Sequence, residues 1–229
     1  MIMSAVDLDE PFDLCDGDGK PLGRVKPRGA VHRDGDWHRS LHVWVVLLGA
    51  GEPWVVFQKR SLRKDTWPGA LDVAVTGHYR AGEGLAQALR ESEEEIGLPL
   101  GPTDVERLGI RRRADDHAPG IRDHEIQDVM LARTTRALTD LRPAPDEVDA
   151  LVAVPLEAAA LLFERDTDAS CLALAVGATA PVPARVTRPE FVDPEGGYYA
   201  VALASIAARL AEPPDAAQHA WRLGWSEQE

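Results

Sequence analysis

The sequence predicts an α+β fold, a mixed sheet layered with helices, and three observations lead there. Short β-branched and aromatic runs bounded by turn formers fill the first half, one amphipathic helical segment interrupts them, and Ala- and Leu-rich helical segments follow Pro155. With 229 residues, 45% hydrophobic and 28% charged, the chain can bury the core of one large domain or two small ones and is not a disordered polymer.

Taken in order, Phe12 to Cys15 and Pro21 to Val25 read as a hairpin around Asp16-Gly17-Asp18-Gly19, because Asp-Gly steps tolerate the positive φ of tight turns. That Asp-rich turn lacks the 12-residue ligand pattern and closing Glu of a calcium loop, so it is a turn. A second turn, Arg33 to Asp36, precedes apolar runs at Leu41 to Leu48 and Pro53 to Gln58, read as adjacent antiparallel strands. Ala70 to Thr76 is a further strand. The loop Gly77 to Glu83 then leads into a helix from about Gly84 to Ile96, stopped by Gly97 and Pro99. Strands resume at Ile126 to Ala132 and Val148 to Val154. Helices are expected at Leu156 to Glu164, Tyr198 to Glu212 and Ala216 to Leu223, while Asp166 to Gly196, rich in Pro, Gly and Ala, has no legible conformation. Tyr198, Tyr199 and the stretch Trp221 to Trp225 read as helix-packing aromatics.

Composition narrows the function. A formal net charge of −13 argues against a surface that neutralises a nucleic-acid polymer, and a small anionic substrate would need help from a cation. Two cysteines, Cys15 and Cys171, make no disulfide framework or Cys-rich zinc site, and suggest reduced thiols in a cytoplasmic protein. No apolar run approaches the ~20 residues of a membrane span, and the acidic N-terminus does not read as a secretory signal.

The chemistry concentrates in Arg90-Glu91-Ser92-Glu93-Glu94-Glu95-Ile96-Gly97. At 100° per residue Leu85, Ala88, Leu89, Ser92 and Ile96 share one side of a helix, and Glu91, Glu94 and Glu95 gather on another. Three carboxylates at i, i+3 and i+4 repel each other, so the cluster makes sense if a hard divalent cation offsets the charge. Mg²⁺ accepts such ligands and bridges to substrate phosphates. A bare Glu run is otherwise a solvated helix face.

The surrounding pattern decides between those readings. Gly77, Glu83, Arg90, Glu91, Glu94, Glu95, Gly97 and Leu98 together resemble the signature of the Nudix hydrolases. Two departures stand out: six residues rather than seven separate Glu83 from Arg90, and Ser92 occupies a position that is usually apolar. The resemblance implies a Nudix-type α/β/α sandwich with a mixed sheet that binds Mg²⁺ or Mn²⁺ and hydrolyses a diphosphate linkage in a nucleoside diphosphate derivative or related small diphosphate. By the same transfer Glu91, Glu94 and Glu95 are metal ligands, joined by Glu83 and the Gly77 carbonyl, and Arg90 holds the glutamates. Hydrolysis of a phosphoanhydride needs in-line water, a cation on the phosphoryl oxygens and a carboxylate to take the proton, which this set supplies.

From about Phe12 to Leu138 the chain also resembles the isopentenyl-diphosphate isomerase-like branch, through Gln58-Lys59-Arg60, Lys64, Trp67-Pro68-Gly69, Gly77-His78, Glu125 and Ala132-Arg133-Thr134-Thr135. That likeness implies a second metal site at His32, His38, His78, Glu125 and Asp123, whose mixed ligation suits Mn²⁺ or Zn²⁺. Glu125 is an extra ligand or base. Arg60 and Lys64 would meet a substrate phosphate, and Trp67-Pro68-Gly69 would be a rigid bend. The isomerase needs a cysteine before the Gly-His pair, and Thr76 stands there, a far poorer acid and nucleophile, which disfavours isomerisation. An isomerase-like enzyme and a catalytically silent nucleotide-binding module are the competing readings.

The expected organisation is an N-terminal hairpin over residues 1–30, a Nudix domain over 31–155 and a mainly helical C-terminal extension over 156–229 packed on the same domain. Specificity is expected in loops outside the signature, at Gly109 to Arg122 and in the C-terminal third. The family likeness adds the expectation of a homodimer.

Overall fold

The computed structural model describes residues 8–49, 51–64, 66–116, 121–165, 167–195 and 197–211. The helix expected at Ala216 to Leu223, and the Trp221 to Trp225 stretch, lie outside the described residues.

The N-terminal hairpin forms as expected, with β1 (Pro11–Cys15) antiparallel to β2 (Pro21–Pro27). Its turn is held by Asp16, whose Oδ1 accepts the backbone N–H groups of Asp18 and Lys20. A short helix not anticipated from sequence follows, α1 (Arg28–Asp34). Pro27 leads into it in extended conformation, and Gly35 ends it at φ 71°, its N–H returning to the Val31 carbonyl. The turn expected at Arg33 to Asp36 is therefore a helix C-terminus.

Next come β3 (His38–Leu47) and β4 (Trp54–Arg60), antiparallel as predicted. The strand expected at Ala70 to Thr76 is two strands, β5 (Leu71–Val73) on β4 and β6 (Val75–His78) on β3, with Ala74 at the change of partner. The signature helix is likewise divided into α2 (Leu85–Ala88) and α3 (Arg90–Ile96), with a turn at Leu89.

The stretch from Gly109 onward, expected as a specificity loop, is mostly a long strand. β7 (Val105–Asp116) pairs antiparallel with β8 (Arg122–Thr134), which runs parallel to β3. β9 (Val148–Pro155) joins the free side of β4, and α4 (Leu156–Arg165) follows at once. The illegible segment contains a hairpin, β10 (Asp168–Ala175) with β11 (Val182–Thr187), that extends the sheet beyond β9. Among the described residues the C-terminal region therefore carries this hairpin between its two helices. Helix α5 (Tyr198–Ala211) falls where expected.

Two apolar cores lie on opposite faces of the sheet. Leu41, Val43, Val45 and Val75 pack against Ala88, Leu89 and Ile96 of the signature helices. Trp44, Val46, Phe57 and Val129 face α4 and α5 through Leu162, Phe163, Tyr198, Tyr199 and Ile206. Alternation along β3 explains this division, because successive side chains leave a strand on opposite faces. Each large apolar side chain so buried is worth roughly 2 kcal/mol of transfer free energy. Helices on both faces make this an α/β/α sandwich whose second helical layer is supplied by the C-terminal third. No helix among the described residues is long and apolar enough to cross a membrane. Cys15 and Cys171 are both buried and unpaired.

Candidate active site

Gly77 on β6 is the contact point between sheet and signature helix. A Cβ there would lie 2.3 Å from Glu91 Cγ, so only glycine lets that side chain cross the strand. Glu91 and Glu95 turn inward. Glu95 Oε2 accepts the Thr76 N–H at 2.9 Å and the Gln58 side-chain amide at 3.2 Å. Glu94 sits at the rim, its side chain 55% exposed. Arg90 binds the cluster together: Nη2 donates to Glu91 at 2.8 Å, Nη1 to Glu83 at 2.6 Å, and Nε lies 3.9 Å from Glu94. Glu83 also accepts the Arg80 N–H at 2.9 Å, fixing the loop before the helix.

Burial disfavours the charged form of these carboxylates. It lifts Glu91 to about 7, with Arg90 opposing and Glu94 adding to the rise. Glu95 is lifted to about 8, with Lys64 and the Thr76 N–H opposing and Glu91 adding. Two inward carboxylates reluctant to ionise thus stand beside a third at the rim.

Immediately after Gly77, His78 belongs to a second cluster. One ligand atom each from His32, His38, His78 and Asp123 falls within 4.8 Å of all the others. His32 and His38 approach to 3.4 Å through their Nε2 atoms, and each lies 3.7 Å from Asp123 Oδ1. His38 Nδ1 lies 3.1 Å from the Asp36 carbonyl, where it can only donate, so Nε2 carries the lone pair toward the cluster. Phe12 stacks on both His38 and His78, with ring centroids 5.3 and 5.0 Å away. Burial pushes His32 down to about 2 and His38 to about 4, so these rings are neutral, as metal ligands must be. Asp123 is raised well above the carboxylate range by burial and by the charge on Glu125. Among the described residues, Asp123 Oδ1 is buried without a hydrogen-bond partner. Three imidazoles, a carboxylate and that orphaned oxygen fit a bound Mn²⁺ or Zn²⁺. Glu125 is adjacent, with Oε1 3.2 Å from His78 Nε2. The structure therefore brings His32, His38, His78 and Asp123 together, with Glu125 at their edge.

Arg60 and Lys64 are differently placed. The Arg60 guanidinium donates to the Thr66 carbonyl at 3.0 Å through Nη2 and to Asp72 at 3.4 Å through Nη1, so it braces the bend that carries Trp67. Lys64 pairs with Glu147 and is close enough to oppose the rise of Glu95. Sequence reading missed Gln58 as a partner of Glu95 and Arg111, Gln127 and Asp193 near Glu125. Gln58 lies in a stretch already singled out, but nothing local marks the other three.

Sheet, helix and glycine-bordered carboxylate cluster together define a Nudix-type sandwich. The NUDIX domain profile matches residues 38–174, more than half of the chain, and the chain belongs to that family. It is 36% identical over 159 residues to Nudix hydrolase 3 of Arabidopsis thaliana, covering 65% of this chain but only 20% of that protein. An uncharacterized Nudix hydrolase of Clostridium acetobutylicum is 28% identical over 204 residues, covering 87% of this chain and 98% of that one. An isopentenyl-diphosphate Delta-isomerase of Cutibacterium acnes is 33% identical over 147 residues, covering 62% of this chain and 71% of the isomerase. Among solved structures, DR0079 from Deinococcus radiodurans aligns with a TM-score of 0.46 at 19% identity, covering 65% of this chain and 85% of that one. The chain is a Nudix hydrolase.

Proposed function

We propose that this protein hydrolyses a small diphosphate, a nucleoside diphosphate derivative or a related compound, with Mg²⁺ or Mn²⁺ held by Glu91, Glu94 and Glu95. The observation that supports this reading is the passage of Glu91 across Gly77, which turns that carboxylate toward the sheet while Glu94 stays at the rim. A divalent ion bound there would offset charge on the phosphoryl oxygens of the substrate. Arg90 and Glu83 keep the carboxylates in register, and the Gly77 carbonyl is the backbone ligand. Water attacks phosphorus, the phosphoanhydride P–O bond breaks with its electron pair on the leaving phosphate, and a carboxylate of the cluster takes the proton. Lys64, within electrostatic reach of Glu95, meets the substrate phosphate with Arg60 behind it.

The second centre, at His32, His38, His78, Asp123 and Glu125, holds Mn²⁺ or Zn²⁺ in this reading. Its presence does not favour isomerisation. The Thr76 hydroxyl, two residues before His78 in the chain, accepts a hydrogen bond from Gln58 at 3.2 Å and cannot replace a thiol in exchanging a proton at carbon.

The test is phosphate release from a panel of nucleoside, sugar and prenyl diphosphates with Mg²⁺ or Mn²⁺, comparing wild type with Glu94→Gln and Glu91→Gln. We expect turnover that requires the metal, stops with a chelator and falls at least a hundredfold in Glu91→Gln. Turnover unchanged in both variants would refute the site. Ligand-induced stabilisation without turnover would favour a binding module.

A further inference from the structure

Glu125 is held by more than its histidine neighbour. Its Oε2 accepts a hydrogen bond from Gln127 Nε2 at 2.7 Å, and Gln127 Oε1 accepts one from Arg111 Nη1 at 3.2 Å. Arg111 Nη2 in turn donates to Asp193 Oδ2 at 2.8 Å, while its guanidinium lies 4.2 Å above the ring of Tyr198. The sheet builds the first links: Arg111 and Gln127 are opposed across β7 and β8, and Glu125, two residues along, shares the face of Gln127. Gln127 and Arg111 are both buried. The last link comes from the segment between β11 and α5, where Asp193 takes the left-handed conformation at φ 47°.

We propose that Asp193, Arg111 and Gln127 form a positioning relay for Glu125, which makes the C-terminal third part of the metal centre although it supplies no ligand. This rests on the reading of His32, His38, His78, Asp123 and Glu125 as a metal site. The chain has polarity. Gln127 presents its carbonyl to a cation and its amide to a carboxylate, so a reversed amide would set donor against donor at one end and acceptor against acceptor at the other. With Oε2 fixed in this way, Oε1 is the oxygen left facing His78. The 2.7 Å bond to Glu125 has the short length of a bond to a charged acceptor, the 3.2 Å bond from Arg111 fixes which way the amide faces, and outer groups of this kind set the orientation of metal ligands. Asp193 restrains the guanidinium fork and Tyr198 covers it, so the relay is complete only when the segment before α5 is docked.

The experiment is titration of the metal-free full-length protein with Mn²⁺, followed by calorimetry and by the paramagnetic resonance spectrum of the bound ion. The set is wild type, Gln127→Leu, Asp193→Asn and the double variant, with circular dichroism to verify the fold. Because the carboxylate helix also takes Mn²⁺, the titration is repeated in a Glu91→Gln background, which isolates the histidine centre. Gln127→Leu should weaken that binding roughly 10–100-fold and broaden the spectrum. Asp193→Asn, half-exposed and milder, should weaken it several-fold. In the double variant the Asp193 change should add nothing, the mark of two residues acting through one path. Unchanged affinity in both single variants, or two losses that simply multiply, would overturn the relay. Absence of Mn²⁺ and of Zn²⁺ uptake by the Glu91→Gln protein would instead overturn the metal-site reading and the relay with it.

Discussion

Ser92 Oγ donates to the Leu89 carbonyl at 2.7 Å, in the buried interior of the signature helix. This bond links the two departures from the Nudix pattern. One residue fewer after Glu83 interrupts the helix at Leu89, between α2 and α3. The carbonyl at that break gains a second donor beyond the Ser92 N–H, which lies 3.1 Å away. A hydroxyl at position 92 satisfies what an apolar side chain would leave weaker.

Ser92→Ala should therefore cost about 1 kcal/mol, the net worth of one buried hydrogen bond, and lower the melting temperature by about 2–4 °C. Ser92→Leu, which restores the family pattern at that position, should be worse by about 1–3 kcal/mol because the site is filled. Urea unfolding of the two variants checks the order. Leucine more stable than alanine would mean that the break at Leu89 is not what position 92 serves.

Gly77→Ala should act on the site more than on the fold. The added methyl meets Glu91 Cβ, Cγ and Cδ at 2.3–3.0 Å. It must turn Cγ and Cδ of that side chain away and, because Cβ is fixed to the helix, shift the helix slightly as well. We expect a stability loss of about 1–3 kcal/mol together with a fall in hydrolysis similar to that of Glu91→Gln. Full activity in a folded Gly77→Ala protein would show that Glu91 need not lie against the strand.

Much of this architecture was legible because the core strands alternate and because glycine marks the helix ends. Gly97 is an example, with φ 67° and a would-be Cβ 2.6 Å from Arg142. What escaped was polar or small. Strand β7 carries Arg107, Arg111, Arg112 and Arg113 and reads as a loop, yet Arg107 and Arg111 are anchored by Asp128 and Gln127 of β8. Partners some twenty residues away cannot be read from local periodicity. The β10–β11 hairpin is built on alanine, with Ala169 and Cys171 turned inward, and the apolar contrast that reveals a strand is weak there. Helix α1 had its stop signal, Gly35, but only seven residues of pattern. At the site, the His and Asp residues of the second cluster came into view through family likeness; spacing alone would not have joined His32 to Asp123.

Arg60 has a structural role that mutation should expose. Its guanidinium spans the Thr66 carbonyl and the buried Asp72, so Arg60→Ala leaves that acid, among the described residues, to the Tyr199 hydroxyl and the Val73 N–H. Removing one partner of such a buried pair costs about 3–5 kcal/mol. Lys64→Ala should leave stability within about 1 kcal/mol, because its ion pair with Glu147 is half-exposed, and should raise KM several-fold. Equal melting temperatures for the two variants would contradict this division of labour.

Acid should destabilise the protein through His42. The imidazole is enclosed between β3 and α5, with Nδ1 3.0 Å from the Tyr198 hydroxyl, which also accepts the Trp44 indole N–H at 2.9 Å. That hydroxyl can donate its own proton to Nδ1, a bond that a neutral imidazole accepts and a protonated one cannot. Burial pushes its pKa down to about 4; Asp72 and Glu125 oppose the shift and Arg111 and Arg113 add to it. The unfolded chain binds this proton near pH 6.5. As pH falls from 6.5 toward 4, the unfolded state takes up a proton that the folded state refuses, so stability is full above about 6.5 and is lost through that window. The contribution is up to about 3 kcal/mol, from roughly 1.4 kcal/mol per pKa unit. His32 and His38 add losses of the same sign when no metal is bound, so the measurement is a difference. Asparagine at position 42 can still accept from Tyr198 and does not titrate. His42→Asn should lose markedly less stability than wild type between pH 7.5 and 4.5, whatever its stability at neutral pH. Parallel pH–stability curves for the two proteins would show that His42 takes up its proton equally well in the folded and unfolded states.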